Sequence, residues 1–304
     1  MTGIPWPQIA TFFSYVFIIV AYAVKVTKYA RMPIHLRWEL YPLAQETGRG
    51  REGSYLEELE WWTKPQKRDS LRSIINMLKK YLLFAGYYQR KKKYWFVLYP
   101  WHVGFYLIVC FHILSFLGAL AMFTTGLVIS SESANGLGVT LYYLTLVVAV
   151  TSFVAGSVGS IGLLIGRLAD KDLRIYASPA HYFNYLFFLA VFLSGLFSWY
   201  FFDPTLSAYR EFWKGLITFQ FTAVEPATYT HIMLFSLFLI YLPFTRSTHY
   251  ITILFSFFKV FWDDKPNLRG SNIEKRVIKL LNQPVSWSAS HIQQGKRWNE
   301  ITSE

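Results

Sequence analysis

Charged residues are rare in five long apolar stretches of the chain, and these stretches predict membrane-spanning helices. A helix needs about 20 mainly apolar residues to cross the hydrocarbon core of a bilayer. The hydropathy pattern places the five spans at residues 7–27, 98–129, 139–166, 182–202 and 228–250. The segment 94–131 is the clearest, because it holds no charged side chain over its whole length. The pattern therefore predicts an all-α membrane protein, built as a bundle of five transmembrane helices.

The polar segments divide the chain into four predicted parts. These are the first transmembrane helix (1–27), a cytoplasmic segment (28–97), a four-helix membrane core (98–258) and a cytoplasmic tail (259–304). In the cytoplasmic segment, apolar residues recur at helical spacing over 55–62 and 70–88, and the tail has a similar pattern over 273–281. Amphipathic helices of this kind are typical of a membrane surface. The segment 28–97 is therefore a candidate for docking a partner.

Lysine and arginine are distributed unequally along the chain, and this predicts its orientation. The loops 130–138 and 203–227 carry only Arg210 and Lys214, although the chain has 30 basic residues. Because Lys and Arg are enriched in cytoplasmic loops, these two loops are assigned to the outer side. The chain is predicted to be a multi-pass protein of the cytoplasmic membrane, with its N-terminus outside and its C-terminus in the cytoplasm. Its net charge of +12 then suits the anionic inner leaflet, and nucleic-acid binding is disfavoured.

Four of the seven histidines lie in two of the predicted spans. His102 and His112 are separated on a helix by about 15 Å along the axis and about 80° around it. His231 and His249 are five helical turns apart, on one face of a regular helix. Ionisable side chains are costly in hydrocarbon and usually mark a functional site there. The single cysteine, Cys110, excludes an intramolecular disulfide and a Cys-ligated iron–sulfur cluster, so histidines are the candidate ligands.

The directions of the two spans pair these histidines by depth. The second span runs outward and the fifth runs inward, so His102 and His249 lie near the inner surface and His112 and His231 lie farther out. Two imidazoles complete the coordination of a haem iron, which suits electron transfer. The rises of about 15 Å and about 27 Å differ, so a tilt or a bend at Pro243 must absorb the difference. Separate polar contacts between helices, or a proton path, are the alternatives to two bis-histidine haem sites.

Two further features bear on such a site. Arg246 lies one turn before His249 in the fifth span. In that position it could pair with a propionate of the inner haem, or it could equally serve as a basic anchor at the inner surface. The third span carries Gly156, Gly159, Gly162 and Gly166. Small residues at this spacing allow close helix packing or leave room for a flat ligand, and the packing role is favoured.

The arrangement of spans and histidines resembles the cytochrome b (gamma) subunit of respiratory nitrate reductase. The resemblance covers about 95–260 and rests on the five spans, the outer N-terminus and the two histidine spacings. It implies that His102, His112, His231 and His249 ligate two b haems. The stretch 32–42, Met-Pro-Ile-His-Leu-Arg-Trp-Glu-Leu-Tyr-Pro, is similar to the membrane cytochrome of the sulfite-reduction-linked Dsr/Hme complex. His35, in this stretch, is assigned to partner docking or local structure.

The second resemblance implies a function in sulfate or sulfite respiration. A relative of this kind passes electrons between menaquinol and a cytoplasmic iron–sulfur subunit similar to heterodisulfide reductase, with further membrane or extracytoplasmic subunits. One alternative is a nitrate reductase gamma subunit that delivers electrons to a cytoplasmic molybdenum enzyme. Another is a haem-free transporter whose histidines relay protons.

The quinol site of the nitrate reductase family does not carry over to this chain. That site uses a lysine near the start of the third helix, where this sequence has none. Glu132 lies in that neighbourhood, and Glu225 precedes the fifth span. A carboxylate can accept a quinol proton, so these two residues are the candidates, although either could equally be a solvated loop charge.

Overall fold

The computed structural model describes residues 5–31, 59–60, 63, 70–260 and 268–303. Over these ranges the chain forms α-helices and no β-strand. The helices are α1 (Trp6–Arg31), α2 (Ser70–Tyr81), α3 (Ala85–Arg90), α4 (Lys92–Thr125), α5 (Gly136–Ala169), α6 (Lys171–Ile175), α7 (Pro179–Phe201), α8 (Ser207–Thr218), α9 (Pro226–Tyr241), α10 (His249–Val260), α11 (Asn272–Leu281) and α12 (Trp298–Ile301). The predicted helix at 55–62, the stretch 32–42 and His35 lie outside the described residues, apart from Leu59 and Glu60.

Five stretches of helix are long and apolar enough to cross a membrane, as the sequence predicts. They are Trp6–Arg31, Lys92–Thr125, Gly136–Ala169, Pro179–Phe201 and Pro226–Phe244. Many of their apolar side chains remain exposed, such as Ile19 at 65% and Val147 at 61%. Side chains of this kind suit contact with lipid, and helices satisfy their own backbone groups there. Over the described residues, the predicted all-α fold with five helices able to cross a membrane is confirmed.

The predicted end of the fifth span is wrong. The sequence predicts one helix over 228–250, with a tilt or a bend at Pro243, but α9 ends at Tyr241 and is followed by two 3-10 turns, Leu242–Phe244 and Arg246–Thr248. Pro243 explains the change, because proline has no N–H to donate and its ring clashes with the carbonyl four residues earlier. His249 is consequently the first residue of α10. His231 and His249 therefore do not share one face of a continuous helix.

The chain separates into two compact units, which are described individually. The first comprises Met1–Ile19 and Lys80–Pro243, and the second comprises Val20–Lys79 and Phe244–Glu304. The first unit contains α4, α5, α7, α8 and α9 together with the beginning of α1. The second unit contains the rest of α1, α10 and the helices of the tail.

The closest helix pair of the first unit is α4 with α5. Two glycines of α5, Gly159 and Gly162, face α4 directly, and a third, Gly156, lies between α4 and α7. A Cβ on Gly156 would meet Phe192 of α7, whereas Gly104 of α4 lies so close to the Gly156 backbone that a Cβ there would overlap it. A Cβ on Gly159 would overlap Trp101, and one on Gly162 would lie 2.9 Å from Val97 Cβ. The predicted packing role is confirmed for Gly156, Gly159 and Gly162 and is wrong for Gly166, where a Cβ would meet nothing within 4 Å.

The remaining helices of the first unit complete a bundle around aromatic side chains. α5 packs on α7, α7 packs on α9, and α8 packs on α4. Aromatic contacts join α4 to α9, with ring centroids 6.0 Å apart for Phe105 and Phe238. The beginning of α1 contacts the segment around α8 through Phe12 and Phe219, whose rings stack at 5.8 Å. Buried aromatic side chains therefore line the interior of this unit.

In the second unit, the end of α1 packs on α10. The hydroxyls of Tyr22 and Tyr250 are hydrogen-bonded, and the rings of Tyr29 and Phe255 lie 6.0 Å apart. In the tail, the Ser271 hydroxyl caps α11 by accepting from the Glu274 N–H. The predicted helix at 273–281 is confirmed. The one at 70–88 is interrupted, because Phe84 has a left-handed φ of 51° between α2 and α3.

Candidate functional site

The structure brings His112 of α4 and His231 of α9 together inside the first unit. Their ring centroids lie 6.5 Å apart, with 43° between the ring planes. Both side chains are buried, with 4% and 3% of their surface exposed. Burial of two imidazoles among apolar helices requires partners for their nitrogen atoms. The hydrogen bonds of each ring show which nitrogen has such a partner.

The hydrogen bond at Nδ1 fixes the tautomer of His112. This atom lies 2.7 Å from the carbonyl oxygen of Ile108, one turn earlier on α4. A carbonyl oxygen only accepts, so Nδ1 carries the proton and donates. In the neutral ring, Nε2 then has a lone pair. Nε2 is buried and has no hydrogen-bond partner among the described residues.

The same arrangement occurs at His231, with a serine hydroxyl in place of the carbonyl. Nδ1 of His231 lies 3.0 Å from Ser194 Oγ of α7. The Ser194 hydroxyl donates its own proton to the Val191 carbonyl at 2.9 Å, so it accepts from His231. Nε2 of His231 is the lone-pair nitrogen and, like that of His112, is buried without a partner in the described part of the chain.

Aromatic rings and a glycine surround the two imidazoles. Phe235 stacks on His112 with ring centroids 3.6 Å apart and 13° between planes. Tyr209 of α8 lies 5.7 Å from His112 and 6.2 Å from His231, measured between ring centroids. A Cβ on Gly195 would lie 2.9 Å from Cε1 of His231, so only glycine fits beside that ring. The pair therefore lies in an apolar, tightly packed environment.

This geometry fits a metal ion shared by the two rings. Imidazoles on opposite sides of one ion, with metal–nitrogen bonds of about 2 Å as in zinc sites, have ring centres about 6 Å apart. The observed 6.5 Å agrees with that separation. Metal-ligating histidines characteristically donate their other ring N–H to a carbonyl or similar acceptor. Within the described ranges no group of three or more His, Cys, Asp or Glu could hold a metal ion, so His112 and His231 are the two protein ligands that this site offers.

His102 lies two to three turns from His112 on the same helix and has the same backbone contact. Its Nδ1 is 2.8 Å from the Leu98 carbonyl oxygen, and 7% of its surface is exposed. Its ring lies 4.4 Å from that of Phe84 and 4.8 Å from that of Trp101. His102 is thus also a buried Nδ1–H tautomer among aromatic rings.

His249 and Arg246 belong to the second unit. Nδ1 of His249 lies 3.1 Å from the backbone carbonyl oxygen of Arg246, and the His249 side chain is exposed. Arg246 is exposed in the adjoining 3-10 turn. The structure therefore gives His249 the same Nδ1–H tautomer as His102 and His112. The pairing of His249 with His102, and the role of Arg246 toward a propionate, stay predictions.

The two candidate quinol carboxylates have different environments. Glu132 is exposed in the turn between α4 and α5. Glu225 is half-buried and caps α9, since its carboxylate accepts from the N–H groups of Ala227 at 3.0 Å and Thr228 at 3.4 Å. A carboxylate is stabilised at a helix N-terminus, so Glu225 has a structural role there.

Several residues of the site could not be assigned from the sequence. Ser194 was one serine in a span of Phe and Leu, and Phe235 was one of many aromatic residues. Tyr209 lies in the loop 203–227, which the charge distribution assigns to the outer side, although it is buried against both imidazoles. Burial raises the pKa of its hydroxyl well above the ordinary value. The available signals were the position of Phe235 one turn after His231 and the rarity of polar residues in the fourth span.

Comparison of the chain with family models, curated proteins and solved structures gave no match.

Proposed function

We propose that this chain is a dihaem cytochrome b membrane subunit. In the proposed function, electrons pass between menaquinol on the outer side and a cytoplasmic iron–sulfur subunit of the heterodisulfide reductase type, in sulfate or sulfite respiration. The observation that carries the proposal is the buried pair of Nε2 lone pairs on His112 and His231, 6.5 Å apart between ring centroids. A bound haem supplies reversible one-electron chemistry, while the protein sets its ligands and surroundings.

The residues around the pair have distinct tasks in this proposal. His112 and His231 hold the iron. The Ile108 carbonyl and the Ser194 hydroxyl keep each Nδ1 protonated and so direct each Nε2 toward the metal. Phe235 and Tyr209 exclude water from the rings. Such an apolar shell controls solvent access and thereby the reduction potential.

The second haem of the proposal is held by His102 and His249, near the inner surface. What supports this assignment is the Nδ1 contact that each ring makes with a backbone carbonyl oxygen, at 2.8 Å and 3.1 Å. Arg246 remains the propionate candidate of this haem. Menaquinol would react near the outer pair, with Glu132 and Glu225 as the candidate proton acceptors.

The proposal is tested by the haem content and the reduced-minus-oxidised visible spectrum of the purified chain. We expect two b haems per chain, and the loss of one haem in each of His112→Ala and His249→Ala. The matched control is His291→Ala, which removes an exposed histidine of the tail. It should retain both haems.

Each other outcome has a definite meaning. A folded, membrane-extracted chain without haem would overturn the proposal and favour a transporter with proton-relaying histidines. Two haems together with co-purification of a molybdenum subunit would replace the iron–sulfur partner with that of nitrate reductase. Loss of haem in His291→Ala would show that the assay reports general damage.

A further inference from the structure

Arg210 of α8 is a charged side chain in a buried position. Only 3% of its surface is exposed, although arginine is almost never fully buried unless it is paired. It is also one of two basic residues in the loops that the sequence assigns to the outer side. The other, Lys214, lies one turn later on α8, is exposed, and pairs with Glu211 at 3.5 Å. Contact with solvent can stabilise the charge of Lys214, whereas the buried charge of Arg210 needs another explanation.

The partners of Arg210 leave part of its guanidinium unsatisfied. Nη2 donates to the Thr205 carbonyl oxygen at 2.7 Å, and the group lies 5.6 Å from the ring centroid of Tyr142. Nη1 is buried and has no hydrogen-bond partner in the described part of the chain. An unpaired buried charge is strongly unfavourable, so a further acceptor is expected at Nη1.

The nearby carboxylates do not fill this role. Asp203 is buried, but it accepts from the N–H groups of Ser207 at 2.8 Å and Tyr209 at 3.1 Å. Asp203 and Glu211 act on Arg210 electrostatically, and neither forms an ion pair with it among the described residues. Burial lowers the pKa of Arg210, and the charge of Asp203 opposes that change. The positive charge is therefore only partly compensated.

The position of Arg210 relates it to the histidine pair. Tyr209, its neighbour in sequence, contacts both imidazole rings and stacks on Phe111 at 4.9 Å. Arg210 follows directly on the same helix and reaches Tyr142 of α5. The unsatisfied donor thus belongs to the helix that covers the His112–His231 pair.

We infer that Arg210 binds the carboxylate of the ligand held between His112 and His231, which for a haem is a propionate. The inference rests on the proposed function and adds a residue to it. Guanidinium–carboxylate pairs are charge-assisted and often bidentate. Such a pair suits the buried guanidinium of Arg210, whose Nη1 has no hydrogen-bond partner among the described residues. Arg210 is a binding residue in this assignment and takes no part in the redox step.

The test uses membranes from cells that make no haem, with the full chain carrying His102→Ala so that one histidine pair is titrated. The probes are iron protoporphyrin IX and its dimethyl ester, which lacks the propionate charges. We expect the parent chain to bind the free acid at least about ten-fold more tightly than the ester. Arg210→Gln should bring this ratio close to one, and Lys214→Gln should leave it as in the parent.

The outcomes separate this inference from the proposed function. A parent chain that binds neither porphyrin overturns both. A parent that binds both porphyrins equally, or an Arg210→Gln chain that keeps the full preference, overturns the role of Arg210 and leaves the haem site standing. If Arg210→Gln does not accumulate, Arg210→Met decides, since it keeps much of the apolar stem and loses the charge. A reduced ratio in that variant supports the inference, and an unchanged ratio contradicts it.

Discussion

At the scale of single residues, the protonation of the imidazoles is set by neighbouring acceptors. His102, His112 and His249 each place Nδ1 near a backbone carbonyl oxygen, and His231 uses Ser194. The carbonyls come from three or four residues earlier in the chain, so the arrangement is local. The serine is the exception, because α7 must dock on α9 before it can meet His231. The tautomer of His231 therefore depends on the packing of α7 against α9, which brings Ser194 to the ring.

This dependence predicts a loss of haem affinity in Ser194→Ala. Without the hydroxyl, Nδ1–H of His231 loses its side-chain acceptor. Only the backbone carbonyl of Val191 remains beside the ring, so the ring is less firmly held. Removal of such a supporting partner typically lowers metal affinity by about 10- to 100-fold. The measurement is haem retention by the purified chain during washing with a competing haem-binding protein.

Ser198→Ala is the matched control for this prediction. Ser198 lies one turn later on α7, and its hydroxyl bonds to Thr228 of α9 at 2.7 Å without contacting a histidine. It removes an equivalent buried hydroxyl bond between the same two helices. Equal haem loss in both variants would mean that α7–α9 docking, and not the tautomer of His231, holds the haem.

The candidate histidines could be selected from the sequence, whereas their surroundings could not. Imidazoles in apolar spans are rare enough to be noticed one by one, and the helix directions give their depth. Phe235 and Tyr209 had no such distinction in a chain with 19% aromatic residues. Which aromatic ring meets an imidazole depends on helix rotation and on the position of α8, and neither is encoded in a local pattern.

At the scale of helices, the α4–α5 contact determines where both histidines of α4 lie. The glycines bring the backbones together, and the Ser152 hydroxyl of α5 donates to the Gly104 carbonyl at 2.8 Å. In a membrane, helices associate through packing and interhelical hydrogen bonds, since lipid is as apolar as the side chains. The α4–α5 contact therefore fixes the position of α4, and with it the positions of His102 and His112.

Gly159→Leu is expected to separate these helices and to destabilise the chain. A Cβ at this position would lie 2.6 Å from Trp101 Cβ, and overpacking of this kind costs about 1–3 kcal/mol. The measurement is the thermal midpoint of the detergent-solubilised chain, followed by tryptophan fluorescence. Gly166→Leu, two turns later on α5, is the control, because a Cβ there meets nothing within 4 Å. A midpoint lowered equally by both substitutions would refute the packing role.

The fifth span shows why helix ends were harder to predict than helix centres. Its apolar composition continues past Tyr241, so hydropathy alone extended the helix to 250. The backbone responds instead to Pro243, which was treated as a bend within a helix and is in fact part of a 3-10 turn. Hydropathy shows whether the side chains of a segment suit the membrane interior. Whether the helix continues depends instead on the backbone, because each N–H must donate to the carbonyl four residues earlier.

At the scale of the whole molecule, the distribution of basic residues predicts an orientation that cysteine labelling can test. In a Cys110→Ser background, a cysteine at Ser131 lies in the exposed turn between α4 and α5, and one at Ser288 lies exposed in the tail. Because cytoplasmic loops retain Lys and Arg, a membrane-impermeant maleimide added to intact cells should label position 131 and not 288. Permeabilised cells, as the control, should show both. Labelling of 288 alone in intact cells would reverse the orientation.

The residues of the two proposed histidine pairs are translated at different times, because Pro243 separates them along the sequence. Every side chain described around the His112–His231 pair, including Ser194, Tyr209 and Phe235, precedes that boundary. His249 is made after them, as the first residue of α10. A growing polypeptide therefore has the components of one histidine pair before the last histidine of the other exists. Under the proposed function, the ligands of the His112–His231 haem are therefore complete before His249 is translated.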